Sequence, residues 1–328
     1  MNKMNKKVIA VITAIMLLAT CLTGCGGGGA KAADPARISF ASGGTSGTYY
    51  PIAGAISTLW TDKVEGLTVD VQSTGASAEN LNLINKGEAE VALVQNDVMY
   101  YAYTATESFA GVDKNESFLT LGTVYPEVVQ LVVAGDAGIE TLADLKGKAV
   151  SIGDVGSGVE SNAKQILAAA GIGLDEITVR NLGFGESANG IKDKTLDAAF
   201  VTAGTPTTAV TELAATNDIK VLSLDQAVID QLCADYGYYT EFVIPADVYG
   251  TDADAKTVAV KATIVVKADL SEGLVYNMTK ALFENLDVVA ESHAKGKELS
   301  LKGAVDGVSV PLHPGAAKYY AEQGLDVE

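Results

Sequence analysis

The chain has 328 residues, 48% hydrophobic and 20% charged, which suits a globular protein of one large domain or two of ordinary size. Its formal charge of −18 sets a repulsive field against nucleic acid and anionic lipid, so neither is expected as a partner. Arg37 and Arg180 are the only arginines, which argues against a double-arginine carboxylate clamp, and an anionic ligand must be held by local donors.

At the start, Lys3, Lys6 and Lys7 precede an apolar stretch over residues 8–22, closed by Leu22-Thr23-Gly24-Cys25. This pattern reads as a secretory leader, too short to span a bilayer comfortably. The last four residues resemble the lipobox of bacterial lipoproteins, which implies cleavage after residue 24 and a lipid on the Cys25 sulfur. Residues 25–36, in which four glycines follow the cysteine, would form a flexible tether. Loss of the leader lysines takes the charge to about −21. Cys21 leaves with the leader and Cys25 carries lipid, so Cys233 has no partner for a disulfide or a cysteine metal site. No later stretch is apolar enough to cross a bilayer. The expected location is extracytoplasmic, lipid-anchored to the cell membrane.

The body opens with a strand, residues 37–41. A bare turn follows, Ser42-Gly43-Gly44-Thr45-Ser46-Gly47-Thr48-Tyr49-Tyr50-Pro51, then a helix with Ile52, Ile56, Leu59 and Trp60 on one face. Pro51 suits a first helical turn. Exposed amides at such a helix start form a ready site for a carboxylate or phosphate, though an ordinary β–α turn would read the same way. The strand 67–71, the turn 73–78 and a helix stopped by Gly87 come next. Residues 91–94 read as a buried strand ending in Gln95-Asn96-Asp97, before a tyrosine-rich helix. Strands over 119–126 and 128–133 are expected about a bend at Pro126.

After a short helix over 141–148 the pattern repeats. Strand 149–152 leads to the turn Gly153-Asp154-Val155-Gly156-Ser157-Gly158 and a helix over 160–170. Strand 177–182, the turn 183–187 and a further helix bring the chain to strand 198–201, which ends in Thr202. Gly47 to Asn80 spans 33 positions and Gly158 to Asn189 spans 31, so two similar units stand in series. Strands alternating with helices imply parallel sheets, with binding loops beyond the carboxyl ends of the strands. The remainder carries strands near 238–245 and 258–266 and helices over 271–286 and 316–323. It is expected to return to the first lobe, giving lobes of 37–127 plus 240–328 and 128–239, with hinges near 125–130 and 236–245.

Gly183-Phe184-Gly185-Glu186-Ser187-Ala188 fits a dinucleotide fingerprint, but it falls on the second loop of its unit, with no ribose-binding acid suitably beyond. Gly47 is followed by Thr48 and Tyr49 instead of the lysine of a phosphate loop. No cofactor is expected. His293 and His313 both lie far from the glycine turns, which disfavours a catalytic triad or a zinc site. Tyr49 and Tyr125 are the tyrosines expected at a cleft. Asp97 would bind a ligand ammonium or cap its helix.

Residues 43–51, the run Ser73-Thr74-Gly75-Ala76-Ser77-Ala78-Glu79-Asn80, the segment 92–97, Thr141-Leu142-Ala143-Asp144-Leu145-Lys146-Gly147-Lys148 with its glycine-serine-glycine successor, and Asp197-Ala198-Ala199-Phe200 resemble the TAXI solute receptors of tripartite ATP-independent periplasmic (TRAP) transporters. The likeness runs from about Arg37 to the C-terminus and is most specific in the first turn. It implies an α/β, two-lobed type II periplasmic-binding fold, with two mainly parallel sheets and a ligand cleft between the lobes. It also implies a non-enzymatic receptor that captures a small carboxylate, such as glutamate or a related amino acid or organic acid, and delivers it to a TRAP-type membrane permease. The contacts implied are Gly44, Thr45, Ser46, Gly47, Thr48 and Tyr49, then Thr74, Ala76, Ser77, Gln95 and Asp97. Gly156, Ser157, Gly158 and Thr202 would come from the other lobe. A secreted enzyme on the same fold is the alternative, with Asp97, Asp154 and Glu186 as its only nearby bases; a purely adhesive lipoprotein is the third reading.

Overall fold

The computed structural model describes residues 36–327, so the leader, Cys25 and the tether lie outside the described residues. Two long strands organise the rest. Strand β4 (Phe118–Ala134) is a run of branched and aromatic residues interrupted by a single acid, Glu127. The other long strand, Ala255–Lys267, pairs antiparallel beside it. Together they carry one ten-stranded sheet through both halves of the molecule.

On one side lies a parallel wing of β1 (Arg37–Ala41), β2 (Thr68–Gln72) and β3 (Val91–Gln95). Helices α1 (Tyr49–Lys63), α2 (Ser77–Lys86) and α3 (Asn96–Thr104) follow these strands in turn. The opposite wing repeats the plan with β5 (Ala149–Ser151), β6 (Thr178–Arg180) and β7 (Ala198–Ala203), also parallel. Its helices are α4 (Gly158–Ala169), α5 (Phe184–Lys192) and α6 (Thr208–Ala214). Next come β8 (Ile219–Leu222), which pairs with β4, α7 (Gln226–Asp235), and β9 (Thr240–Ile244), which pairs with the long strand Ala255–Lys267, here β10. Helices α8 (Glu272–Phe283), α9 (Leu286–Ser292) and α10 (Pro314–Glu322) close the chain on the first wing.

The first half is centred on Trp60. It is fully buried, stacks on Phe40 at 5.7 Å between centroids, and donates from Nε1 to the Met278 carbonyl at 2.8 Å. That bond ties α1 to α8, and α8 shares its core with the first wing. The cores show where the chain changes halves. Val124 and Tyr125 pack with the first half, whereas Val128 and Val129 pack with the second; on β10, Val258 and Val260 pack with the second and Ala262 and Ile264 with the first. Residues 240–260, expected in the first lobe, therefore bury their apolar side chains among those of the second: Ile244, Tyr249, Ala255 and Ala259 join Val128, Val201 and Val210. The expected bend at Pro126 is a continuous strand. Pro126 pairs with Lys261 at the edge of a register shift in which Val124 and Tyr125 of β4 oppose Ala262 of β10, and a bulge of this kind accommodates a residue that cannot donate.

Candidate functional site

Four helices begin at one place. The starts of α1 (Thr48, Tyr49), α2 (Ala76, Ser77), α4 (Ser157, Gly158) and α5 (Gly183, Phe184) all line a cavity of about 310 Å³ between the halves. These turns follow the carboxyl ends of β1, β2, β5 and β6, the usual position of binding loops in such sheets. Each helix start presents partial positive charge, so their convergence favours an anionic group.

The first turn is held largely from outside, with one backbone bond of its own, from the Gly47 amide to the Gly44 carbonyl at 3.1 Å. Ser42 takes the Gln72 carbonyl through both its amide (3.0 Å) and its hydroxyl (2.6 Å). Asn80, fully buried, donates to the carbonyls of Ser42 and Leu93, each at 2.7 Å. Ser73 donates to the Gly43 carbonyl at 3.0 Å, and Ser77 accepts from the Gln95 amide at 3.1 Å. Gly43 packs against Tyr49, which an added Cβ would touch at 3.4 Å. No side chain caps α1.

The halves touch around the cavity. Ala78 donates its amide to the Gly156 carbonyl (3.2 Å), Ala209 to the Ser46 carbonyl (3.3 Å), and the Thr48 hydroxyl reaches the Gly204 carbonyl at 3.4 Å. The Phe184 ring covers Gly47 closely enough that an added Cβ would sit 3.3 Å from it. Gly158 lies against Gln95, and a Cβ there would come within 2.0 Å of Gln95 Oε1. The structure is thus a closed form.

The wall combines those amides with carboxyls. Glu127, Asp154 and Glu186 line the cavity, and no lysine, arginine or histidine does so among the described residues. Glu127 is 1% exposed; burial pushes its pKa up to about 8, against the pull of Tyr49 and Gln95 beside it. Burial, with Glu186 and Glu79 nearby, also raises Asp154. Tyr49 and Tyr125 are raised well above the ordinary phenol range by burial, so both hydroxyls remain donors. Four buried polar atoms on the wall have no hydrogen-bond partner: the Tyr49 hydroxyl, Gln95 Oε1, Glu127 Oε1 and Thr202 Oγ1. Buried polar groups are ordinarily paired, and a cluster of orphans marks a place where a partner arrives from outside.

Of the residues expected at a site, Gly44, Thr45, Ser46, Gly47, Thr48, Tyr49, Thr74, Ala76, Ser77, Gln95, Ser157, Gly158 and Thr202 line the cavity. Three do not. Gly156 turns to a groove on the outer side, its carbonyl engaged by Ala78. Tyr125 shares the Glu127 face of β4 but sits two residues further into the first core. Asp97 lies behind the wall, where its Oδ2 accepts from Asn162 at 2.9 Å in a buried cluster with Tyr239, Gln165 and Tyr101. Burial raises Asp97 to about 7, while the Val98 amide and Asn162 pull it down. Sequence reasoning misses Glu127 and Phe184 as residues of the cavity wall, although a lone acid within an apolar strand is a visible anomaly. His313 caps α10 through the Gly315 amide (3.2 Å) and is absent from the cavity wall.

A profile of the NMT1-like family matches residues 40–324. The chain belongs to the NMT1-like family. Solved structures similar to this NMT1-like chain include a binding protein component of an ABC phosphonate transporter from Pseudomonas aeruginosa: 13% identity, 80% of this chain and 79% of that one covered, TM-score 0.51. An ancestral arginine-binding protein bound to arginine matches at 15% identity over 81% of this chain and 99% of that one, TM-score 0.50. The periplasmic aliphatic sulphonate binding protein of Escherichia coli aligns at 13% identity over 88% and 83%, TM-score 0.46. The fold of this NMT1-like protein is the two-lobed type II periplasmic-binding fold.

Proposed function

We propose that the chain is an extracytoplasmic solute receptor that closes its two lobes on one small carboxylate, such as glutamate or a related amino acid or organic acid, and hands it to a membrane permease. The observation that carries this reading is the cavity itself: four helix starts from both halves, with orphaned buried polar atoms among them. The carboxylate is assigned to the turn 45–48, with the Ser157 hydroxyl and the Gly158 amide brought up to it from the other half, the ligand-binding residues being those of the cavity wall. The likeness of residues 43–51 and 73–80 to TAXI receptors supports a TRAP-type permease as the partner. The lipobox-like Cys25 supports a lipid anchor holding the protein at the cell membrane. We divide the lobes within β4 after Glu127 and within β10 near Lys261, so that residues 37–127 and 262–328 form the first and 128–260 the second.

Closure driven by binding requires the ligand to prefer the closed form, and binding to the native state alone raises its stability by about 2.7 kcal/mol at a hundred times Kd. Thermal unfolding of the mature chain, scanned against amino acids and small mono- and dicarboxylates, should show one chemically related group of ligands that raises Tm in a concentration-dependent manner. A scan in which no such acid shifts Tm contradicts the proposal.

A further inference from the structure

The cavity holds more negative than positive side-chain charge, which limits what can enter. Helix starts supply a place for one anionic group. Around them stand Glu127, Asp154 and Glu186, with no cationic side chain on the wall among the described residues. A buried cation does pack behind Gly204, but Lys295 is paired with Glu298 at 2.6 Å and does not reach the lining. A plain dicarboxylate would bring two more negative charges into this space, with its second carboxylate left near Asp154 and Glu186 and no cationic side chain on the wall among the described residues. Glu127 is the acid set deepest; Tyr49 and Gln95 sit beside its carboxyl, and its Oε1 has no partner in hydrogen-bond geometry among the described residues. Removing such a group from water without a partner is costly, and a ligand cation offsets that cost.

Resting on the proposed receptor function, we infer that the occupant carries a cationic nitrogen as well as a carboxylate, and that Glu127 receives the nitrogen. Glu127 thereby separates amino acids from their deaminated analogues. The carboxylate lies at the helix starts and the ammonium at β4, so the zwitterion is read end to end.

Proton linkage follows. The groups facing Glu127 are Tyr49 on α1, Asp97 on α3 and Tyr125 on its own strand, with the Lys295–Glu298 pair beyond Tyr125; its partner across the ladder is Val260. None of them is a free cation, and the carboxyl is protonated below about 8. An arriving ammonium ionises it: the Glu127 O–H bond breaks, the proton leaves to solvent, and the carboxylate takes N–H donors from the ligand. Affinity for an ammonium ligand therefore rises with pH from 6 towards 8, by up to about tenfold per pH unit.

The test is titration calorimetry on the mature chain with paired probes, each amino acid against the acid lacking its amino group (L-glutamate against glutarate, L-leucine against 4-methylpentanoate). For the pair that binds, the amino acid should bind at least about tenfold tighter, and its affinity should fall as pH drops from 8 to 6. Glu127→Gln should weaken it about 10- to 100-fold and flatten the pH dependence; Glu127→Asp, which keeps the charge, should retain the slope. The comparison of paired probes on the unaltered chain stands even where a variant does not fold. Equal or tighter binding of the deaminated acid, or saturation by dicarboxylates alone, overturns this inference and leaves the receptor reading intact. Failure of every probe overturns both.

Discussion

The two glycine turns share a plan but differ in what they do with their donors. In residues 42–48 the scaffold is gripped from behind by Gln72 and Asn80, and α1 starts without a side-chain cap. In residues 153–158 the turn satisfies itself. Ser157 accepts from the Glu160 amide at 3.1 Å, and Glu160 in return accepts from the Gly156 amide at 2.7 Å. The Ser157 amide is spent on the Asp154 carbonyl at 3.0 Å. The first turn spends one amide on itself, Gly47 to the Gly44 carbonyl at 3.1 Å, and leaves α1 uncapped, while the second spends more of its donors on a finished cap that brings Ser157 and Gly158 up to close the space. Similar sequence in two lobes thus does not mean similar work: hydrogen-bond accounting separates a receiving turn from a closing one.

The largest expected effect lies between the turns, at Glu127. A carboxyl raised in the folded state from its ordinary 4.5 to about 8 binds more protons folded than unfolded. Its contribution to stability is therefore fully present below about 4.5 and lost as pH rises through about 8. Glu127→Gln should stabilise the unliganded chain at pH 9 by a few kcal/mol, each tenfold change in proton affinity being worth about 1.4 kcal/mol. It should change little at pH 4, as read by urea midpoints. Asp97, raised to about 7, adds a smaller decline of the same sign over a lower window.

Next comes Gly153, whose φ of +90° and closeness to Val159, 2.7 Å from an added Cβ, demand glycine. Gly153→Ala should cost about 2–4 kcal/mol by combined strain and overpacking, measured by urea unfolding. Ser157→Ala removes the cap of α4 and should cost about 1 kcal/mol in the same assay. Gly44→Ala should change stability by less than about 0.5 kcal/mol, because nothing lies within 4 Å of the added methyl. Were Gly44→Ala as damaging as Gly153→Ala, the contrast between an open turn and a packed one would fail.

Much of this arrangement is legible in the sequence. Glycine and small hydroxyls between a strand and an amphipathic helix mark both turns, and the matched spacings of 33 and 31 residues set them in two similar units. Periodicity does not show where β10 changes halves, since Val258 and Ile264 look alike in sequence and only packing sends them to different cores. Pro126 suggests a bend, but the irregularity beside it is a bulge within β4, where Val124 and Tyr125 oppose the single residue Ala262, and only the pairing with β10 reveals it. Asp97 and Glu127 sit near each other in the wall region, yet which of the two lines the cavity depends on α4 approaching α3 and placing Asn162 against Asp97. No local pattern carries that tertiary fact.

The most direct test is a crystal structure of the mature chain with the acid that raises its Tm most. The account predicts a single molecule between the halves, its carboxylate within hydrogen-bond distance of residues 45–48 and of Ser157 or Gly158 at once. A ligand bound to one half alone, or seated in the outer groove beside Glu107 and Lys164, would contradict it.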